Sequence, residues 1–141
     1  MKYMLIMRST DAAVEAYKTM PFEEVIAAMG KYNESLIKAG VLLAGDGLSD
    51  ASEGFVVDFA SETPLVTDGP YGETKELFNG FWILEVSSKE EAAEWAKRVP
   101  LGPGSFIEVR RVTELSDFPE GNEYIQREAE FRAANDPSFK L

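Results

Sequence analysis

Asp68 stands in the run Asp68-Gly69-Pro70-Tyr71-Gly72-Glu73-Thr74-Lys75-Glu76, a charged turn that feeds the apolar stretch Phe78-Asn79-Gly80-Phe81-Trp82-Ile83-Leu84-Glu85-Val86. A carboxylate held at such a turn can act as a general base or bind a cationic group. It can equally serve the turn itself, since an Asp before Gly-Pro accepts backbone N–H groups and closes the chain reversal. Both readings fit Asp68. The neighbouring Glu73, Lys75 and Glu76 fit solvated ion pairs, each worth roughly 0–1 kcal/mol. The chain has no His and no Cys, so imidazole acid–base chemistry, Cys nucleophiles and Cys/His metal sites are excluded.

A second set of candidates follows from strand alternation. Arg8 shares a face with Met4 and Ile6, Glu85 with Phe81 and Ile83, and Glu108 and Arg110 with Phe106 and Val112. Charges inside apolar strands must be paired or solvated. Should the three faces coincide, they form a polar lining whose two guanidinium groups suit a small anion such as a carboxylate. The same residues also fit a Glu–Arg pair that fixes sheet or dimer register. Asp46, between Gly45 and Gly47, fits a ligand-binding loop and fits a tight turn. Tyr17, Tyr32 and Tyr71 complete the proton-transfer candidates, with Tyr32 on a helical apolar stripe that points to the core. No dense acidic loop with ligand spacing is present, so no metal is expected, and no phosphate loop or other cofactor motif occurs.

The elements that position these residues are legible from periodicity. Lys2 to Arg8 reads as a first strand apolar on both faces. Asp11 to Ala16 has the composition of a helical turn or two. From Pro21 onward Phe22, Val25, Ile26, Met29, Tyr32 and Leu36 keep helical spacing, with Glu23 and Glu24 in the first turn and Gly40 past the end. Val41 to Ala44 reads as a second strand closed by Gly45-Asp46-Gly47, followed by a hairpin of Phe55 to Phe59 and Leu65 to Thr67. Gly80 to Val86 is another strand apolar on both sides. Ser88-Lys89-Glu90-Glu91 is a capping box that opens a helix with Ala92, Trp95, Ala96 and Val99 inward, stopped by Pro100. Phe106 to Val112 is the last strand of the core, and Asn122 to Ala134 a weakly amphipathic helix whose Tyr124, Ile125, Ala129 and Phe131 would dock on the domain or across a dimer.

This order predicts an α+β fold: a ferredoxin-like split βαβ with an antiparallel sheet. Two helices cover one sheet face. The doubly apolar strands leave the other face to be buried against a second copy, so the chain is expected to be a homodimer. The domain is expected to span residues 1–115, followed by an acidic helical extension over 116–141.

With 141 residues the chain is long enough to bury roughly 70% of its unfolded surface without staples. The apolar run Tyr3 to Met7 is too short for a signal peptide or a membrane span, so a cytoplasmic protein with no membrane partner is expected. A net charge of −11 repels phosphate backbones, which argues against direct nucleic-acid binding.

Together Gly40-Val41-Leu42-Leu43-Ala44-Gly45-Asp46-Gly47-Leu48, the Asp68 to Glu76 run after Thr67, Gly80-Phe81-Trp82 and Ile107-Glu108-Val109-Arg110 resemble the YCII-related proteins of the DGPF type, many of unknown function. The resemblance covers residues 2 to about 118. It implies a dimeric α+β barrel with a cleft near the dimer interface. The broader group is thought to use a His and Asp pair; that pair has no counterpart in a chain without His, and Val99 stands where an acid often precedes the proline. Some relatives are linked to sigma factors.

The leading expectation is a cofactor-independent small-molecule enzyme catalysing proton transfer or addition and elimination. In that reading Asp68 is the acid/base group, while Arg110, Arg8, Glu108, Asp46 and Tyr71 contact a small anionic substrate. The rival is a non-catalytic ligand-binding or accessory dimer, and a purely structural role is the third reading.

Overall fold

The computed structural model describes residues 1–69 and 77–135. Tyr71, Glu73, Lys75 and Glu76, and the end of the chain from residue 136, lie outside the described residues.

Strand β1 (Lys2–Ser9) is followed by two helices, α1 (Asp11–Lys18) and α2 (Phe22–Lys38), before β2 (Leu42–Gly47). A hairpin of β3 (Phe55–Asp58) and β4 (Leu65–Asp68) precedes β5 (Leu77–Glu85). Helix α3 (Lys89–Lys97) leads to β6 (Ser105–Arg111), and α4 (Glu123–Asn135) follows. The main sheet has the order β2-β5-β1-β6 with every neighbouring pair antiparallel. Helices join β1 to β2 and β5 to β6, which is the ferredoxin-like arrangement expected from the sequence.

One sheet face and the helices build the core. Leu5, Leu36 and Leu84 are fully buried, with Tyr3, Tyr32, Trp82, Val86, Ala92 and Val99 packed around them. Tyr32 and Trp82 meet edge to face at 5.4 Å, an arrangement favoured by the ring quadrupoles. Their polar tips are satisfied: the Tyr32 hydroxyl donates to the Trp95 carbonyl at 2.9 Å, and the Trp82 indole N–H donates to Asn33 Oδ1 at 2.8 Å. Tyr32 is thus core, as its place on the α2 stripe predicted.

Gly45-Asp46-Gly47 does not close a strand but continues it, with Asp46 opposite Phe81. The reason for glycine is packing: a Cβ on Gly45 would lie 3.0 Å from the Trp82 indole. Ser88 caps α3 by accepting from the Glu91 amide at 3.1 Å, but Glu91 does not return to the Ser88 amide. Its carboxylate instead takes the Ser87 amide and hydroxyl at 2.7 and 2.6 Å, which holds it below its ordinary pKa. Helix α4 does not seat its rings on the domain, since Tyr124 and Phe131 are exposed. The α2 stripe also splits: Tyr32 and Leu36 are buried, whereas Phe22 and Ile26 at the start of the helix remain exposed.

Candidate functional site

Strand register settles which faces coincide. On β1, Ile6 lies between Phe81 and Glu108, Met4 between Ile83 and Arg110, and Arg8 between Phe78 and Phe106. Directly opposed residues of an antiparallel ladder share a face. Arg8, Glu108, Arg110 and Asp46 therefore all stand on the sheet face opposite the core. Arg8 Nη1 donates to Glu108 Oε1 at 2.9 Å, with both side chains a little over one-third exposed. Glu85 takes the N-terminal ammonium at 3.2 Å. Arg110 is exposed and makes no ion pair with another described residue. Two guanidinium groups do share this face, but Glu108 already engages one of them.

Asp68 ends β4 opposite Phe55 and is exposed. The Gly69 amide donates to the Gly54 carbonyl at 2.8 Å, so the described end of the turn is closed from the backbone. Tyr71, expected beside it, lies outside the described residues.

A cavity of about 620 Å³ lies on the helix-covered side of the sheet, and it is overwhelmingly apolar. Met7 and Ser9 of β1 and Leu77 and Asn79 of β5 contribute from the sheet. Ala13, Val14 and Tyr17 contribute from α1, and Phe22, Val25, Ile26 and Met29 from α2. Met20 between the helices, the segment from Gly47 to Ala51 and Leu101 add to the lining. This explains the split α2 stripe: the first turns of the helix face an opening, and from Met29 onward the stripe packs on the core.

Helix α1 is fixed to the sheet by short-range geometry. The Thr10 side chain accepts from the Ala13 amide at 3.3 Å and so caps the helix. The Thr10 amide donates to the Gly104 carbonyl at 3.1 Å. At the other end the Tyr17 hydroxyl donates to the Pro100 carbonyl at 3.2 Å. Lys18, the last residue of α1, reaches Asp50 Oδ2 at 3.2 Å and Glu15 Oε1 at 3.2 Å. Both Lys18 and Asp50 are half-exposed and line the cavity, so their ion pair spans its rim.

The charge states follow from these contacts. Hydrogen bonds from the Ser52 amide and side chain, then Lys18, hold the Asp50 carboxyl down at about 2. Glu15 and then Asp50 hold the Lys18 ammonium above its ordinary range. Burial raises the Tyr17 phenol. At neutral pH the rim thus carries a carboxylate and an ammonium, and the phenol keeps its proton. A base with a pKa near 2 is mismatched to proton abstraction at neutral pH, so this constellation binds and orients better than it abstracts protons.

Sequence reasoning named Tyr17 but missed Lys18, Asp50 and Asn79 as pocket residues. The available signal was the surplus of large apolar residues at the start of α2, together with Met20 and Met29, beyond what one helix needs to seal a sheet.

Among solved structures, the chain is similar to 5-chloro-2-hydroxyhydroquinone dehydrochlorinase (TftG) from Burkholderia phenoliruptrix AC1100 in complex with 2,5-dihydroxybenzoquinone. The TM-score is 0.44 and the identity 14%, covering 81% of this chain and 95% of that one. An uncharacterised protein of Rhizobium meliloti (strain 1021) is 24% identical over 97 residues, which is 69% of this chain and 78% of that protein. The YCII-related domain matches residues 1–116, from the first strand through the last strand of the sheet, and the chain belongs to the YCII-related family.

Proposed function

We propose that this chain binds a small, predominantly apolar molecule in the pocket between α1, α2 and the sheet, and that it does so as a homodimer joined through the open sheet face. The observation that carries the reading is the cavity of about 620 Å³, a volume that suits a drug-sized ligand. Its apolar walls supply the binding energy, at roughly 25 cal/mol per Å² of apolar surface removed from water. The dimer is supported by Phe78 and Phe106, both large and exposed beside Arg8 on the open face. The run Asp68-Gly69-Pro70-Tyr71 supports the DGPF type within the family. The location proposed is the cytoplasm, the default for a chain of ordinary globular composition. Among the described residues no helix is long and apolar enough to cross a membrane.

An enzymatic reading, cofactor-independent proton transfer or addition and elimination, is favoured by one observation: the Lys18 ammonium at the rim would stabilise negative charge developing on a ligand oxygen. Arg110 and Arg8 stand on the opposite sheet face from this rim, so the version of the enzymatic reading with Asp68 as acid/base and Arg110 with Arg8 as the anion contact puts the substrate at the open face instead.

A thermal-shift screen of small apolar compounds tests the binding reading, comparing the wild type with Ile26→Trp, which places a bulky ring into the cavity from α2. Stabilisers of the wild type are expected to lose their effect in Ile26→Trp. Stabilisers that act equally on both proteins would contradict the pocket as the site.

A further inference from the structure

Resting on that pocket reading, we infer that Asn79 reads the polar group of the bound molecule, and that this molecule is uncharged, with a hydroxyl or carbonyl on an apolar frame. The β1–β5 ladder carries a fault beside the cavity. Met7 pairs with Gly80 and Arg8 with Phe78, so β5 carries one residue more than β1 at this point, and that residue is Asn79. Such a bulge re-aims a side chain and recurs beside binding sites. The Asn79 carbonyl stays in the sheet, accepting from the Leu48 amide at 2.8 Å. Asn79 itself is half-buried and lines the cavity.

The other polar side chains of the lining are mostly spoken for. Ser9 shares a hydrogen bond with Ser105 at 3.2 Å, and Tyr17 donates to the Pro100 carbonyl. Lys18 and Asp50 hold each other, with Glu15 and Ser52 as further partners. Ser49 is exposed. The Asn79 carboxamide makes no hydrogen bond with another described residue. A carboxamide offers both a donor and an acceptor, so it recognises a hydroxyl by accepting and a carbonyl by donating.

The rim decides the charge of the ligand. An anion meets two carboxylates, Asp50 and Glu15, for the one Lys18 ammonium, and a cation meets carboxylates that Lys18 already neutralises in part. An uncharged molecule leaves every existing pair intact and gains the Asn79 contact. This selection works by cost to the wrong ligand as much as by attraction to the right one.

Four bicyclic probes of one shape separate the outcomes: naphthalene, 2-naphthol, 2-acetylnaphthalene and 2-naphthoate. Dissociation constants for the wild type should place 2-naphthol and 2-acetylnaphthalene about tenfold tighter than naphthalene, about 1.4 kcal/mol, with 2-naphthoate no tighter than naphthalene. Asn79→Ala should bring the first two down to the naphthalene value while leaving naphthalene unchanged. Asn79→Asp, nearly identical in shape, should keep 2-naphthol and lose 2-acetylnaphthalene, because a carboxylate accepts but does not donate. A preference that survives Asn79→Ala, or 2-naphthoate as the tightest probe, overturns the inference. If Ile26→Trp abolishes every probe while the Asn79 variants match the wild type, only the role of Asn79 falls. If no probe binds, or all bind Ile26→Trp as well as the wild type, the pocket reading falls and takes this inference with it.

Discussion

Arg8 and Glu108 meet at 2.9 Å along a diagonal of the β1–β6 ladder, since the register sets Arg8 opposite Phe106 and Glu108 opposite Ile6. The pair is a little over one-third exposed in the single chain and ringed by Phe78, Phe106 and Ile6. Its energetic weight therefore depends on what covers the face. In a free monomer, an ion pair this accessible contributes roughly 0–1 kcal/mol. Covered by a second copy, it is desolvated, and removing one partner strands a buried charge at about 3–5 kcal/mol. In the proposed dimer Arg8→Met, which takes the guanidinium away from Glu108, is expected to show the larger loss on denaturation, with dissociation seen by light scattering. A loss below about 1 kcal/mol with an unchanged mass would argue against the dimer face.

Stability should fall at both ends of the pH scale for identifiable reasons. Burial pushes the Tyr32 phenol up to about 12, against an ordinary value of 10.0. A raised folded-state pKa means that the stabilisation is complete below the unfolded value and is lost as pH climbs from 10 towards 12. Tyr32→Phe should flatten that alkaline limb while costing about 1 kcal/mol at neutral pH for the lost hydrogen bond to Trp95. On the acid side the lowered carboxyls of Asp50, Asp117 and Glu91 give stability that is present above their unfolded values. It is lost as pH falls below about 4. With no His in the chain, the melting temperature is expected to be flat from about pH 5 to 9.

Gly104 holds α1 against the sheet and should not tolerate a side chain. Its φ is +84°, and a Cβ there would lie 3.1 Å from both the Ala13 Cβ and the Thr10 Oγ1. Gly104→Ala is expected to cost about 1–3 kcal/mol and to weaken probe binding, because α1 supplies one wall of the pocket. Unchanged stability and affinity would show that α1 is not held this way.

The sheet, its helices and the hairpin were legible because each rests on local signals: short continuous apolar runs in β1 and β5, the 3.6-residue stripe of α2, and Ser88 before α3. The shared face of Arg8, Glu108 and Arg110 was posed but not decided, because alternation gives a side-chain direction and only register gives a neighbour. The pocket was hidden for a related reason. Phe22, Val25, Ile26 and Met29 read as core from their spacing, and only the three-dimensional gap between α1, α2 and β5 makes them a lining. Lys18 and Asp50, 32 residues apart by their numbering, carry no sequence signal of being partners. The bulge at Asn79 depends on the length of β1 opposite it, which β5 alone does not encode.

Helix α4 buries no residue of its own, and the last firm tie before it is the two-pronged pair of Arg111 with Asp117 at 2.8 and 3.2 Å. We propose that residues 116–141 are an extension of the domain rather than part of its core. A chain ending after Gly121 should melt within a degree or two of the full chain, consistent with the near-zero weight of an exposed helix in the stability of a packed domain. A marked drop, or a change of mass in solution, would place α4 in the fold or in the dimer.

The central claim is that the helix-side cavity is the binding site, and methyl NMR of the methionines tests it most directly. Met7, Met20 and Met29 line the cavity, whereas Met4 stands on the opposite sheet face beside Arg110. Titration with 2-naphthol is expected to shift the Met7, Met20 and Met29 methyl signals together and to leave Met4 in place. Movement of Met4 with the three cavity signals unmoved would contradict the account and put the site on the open face of the sheet.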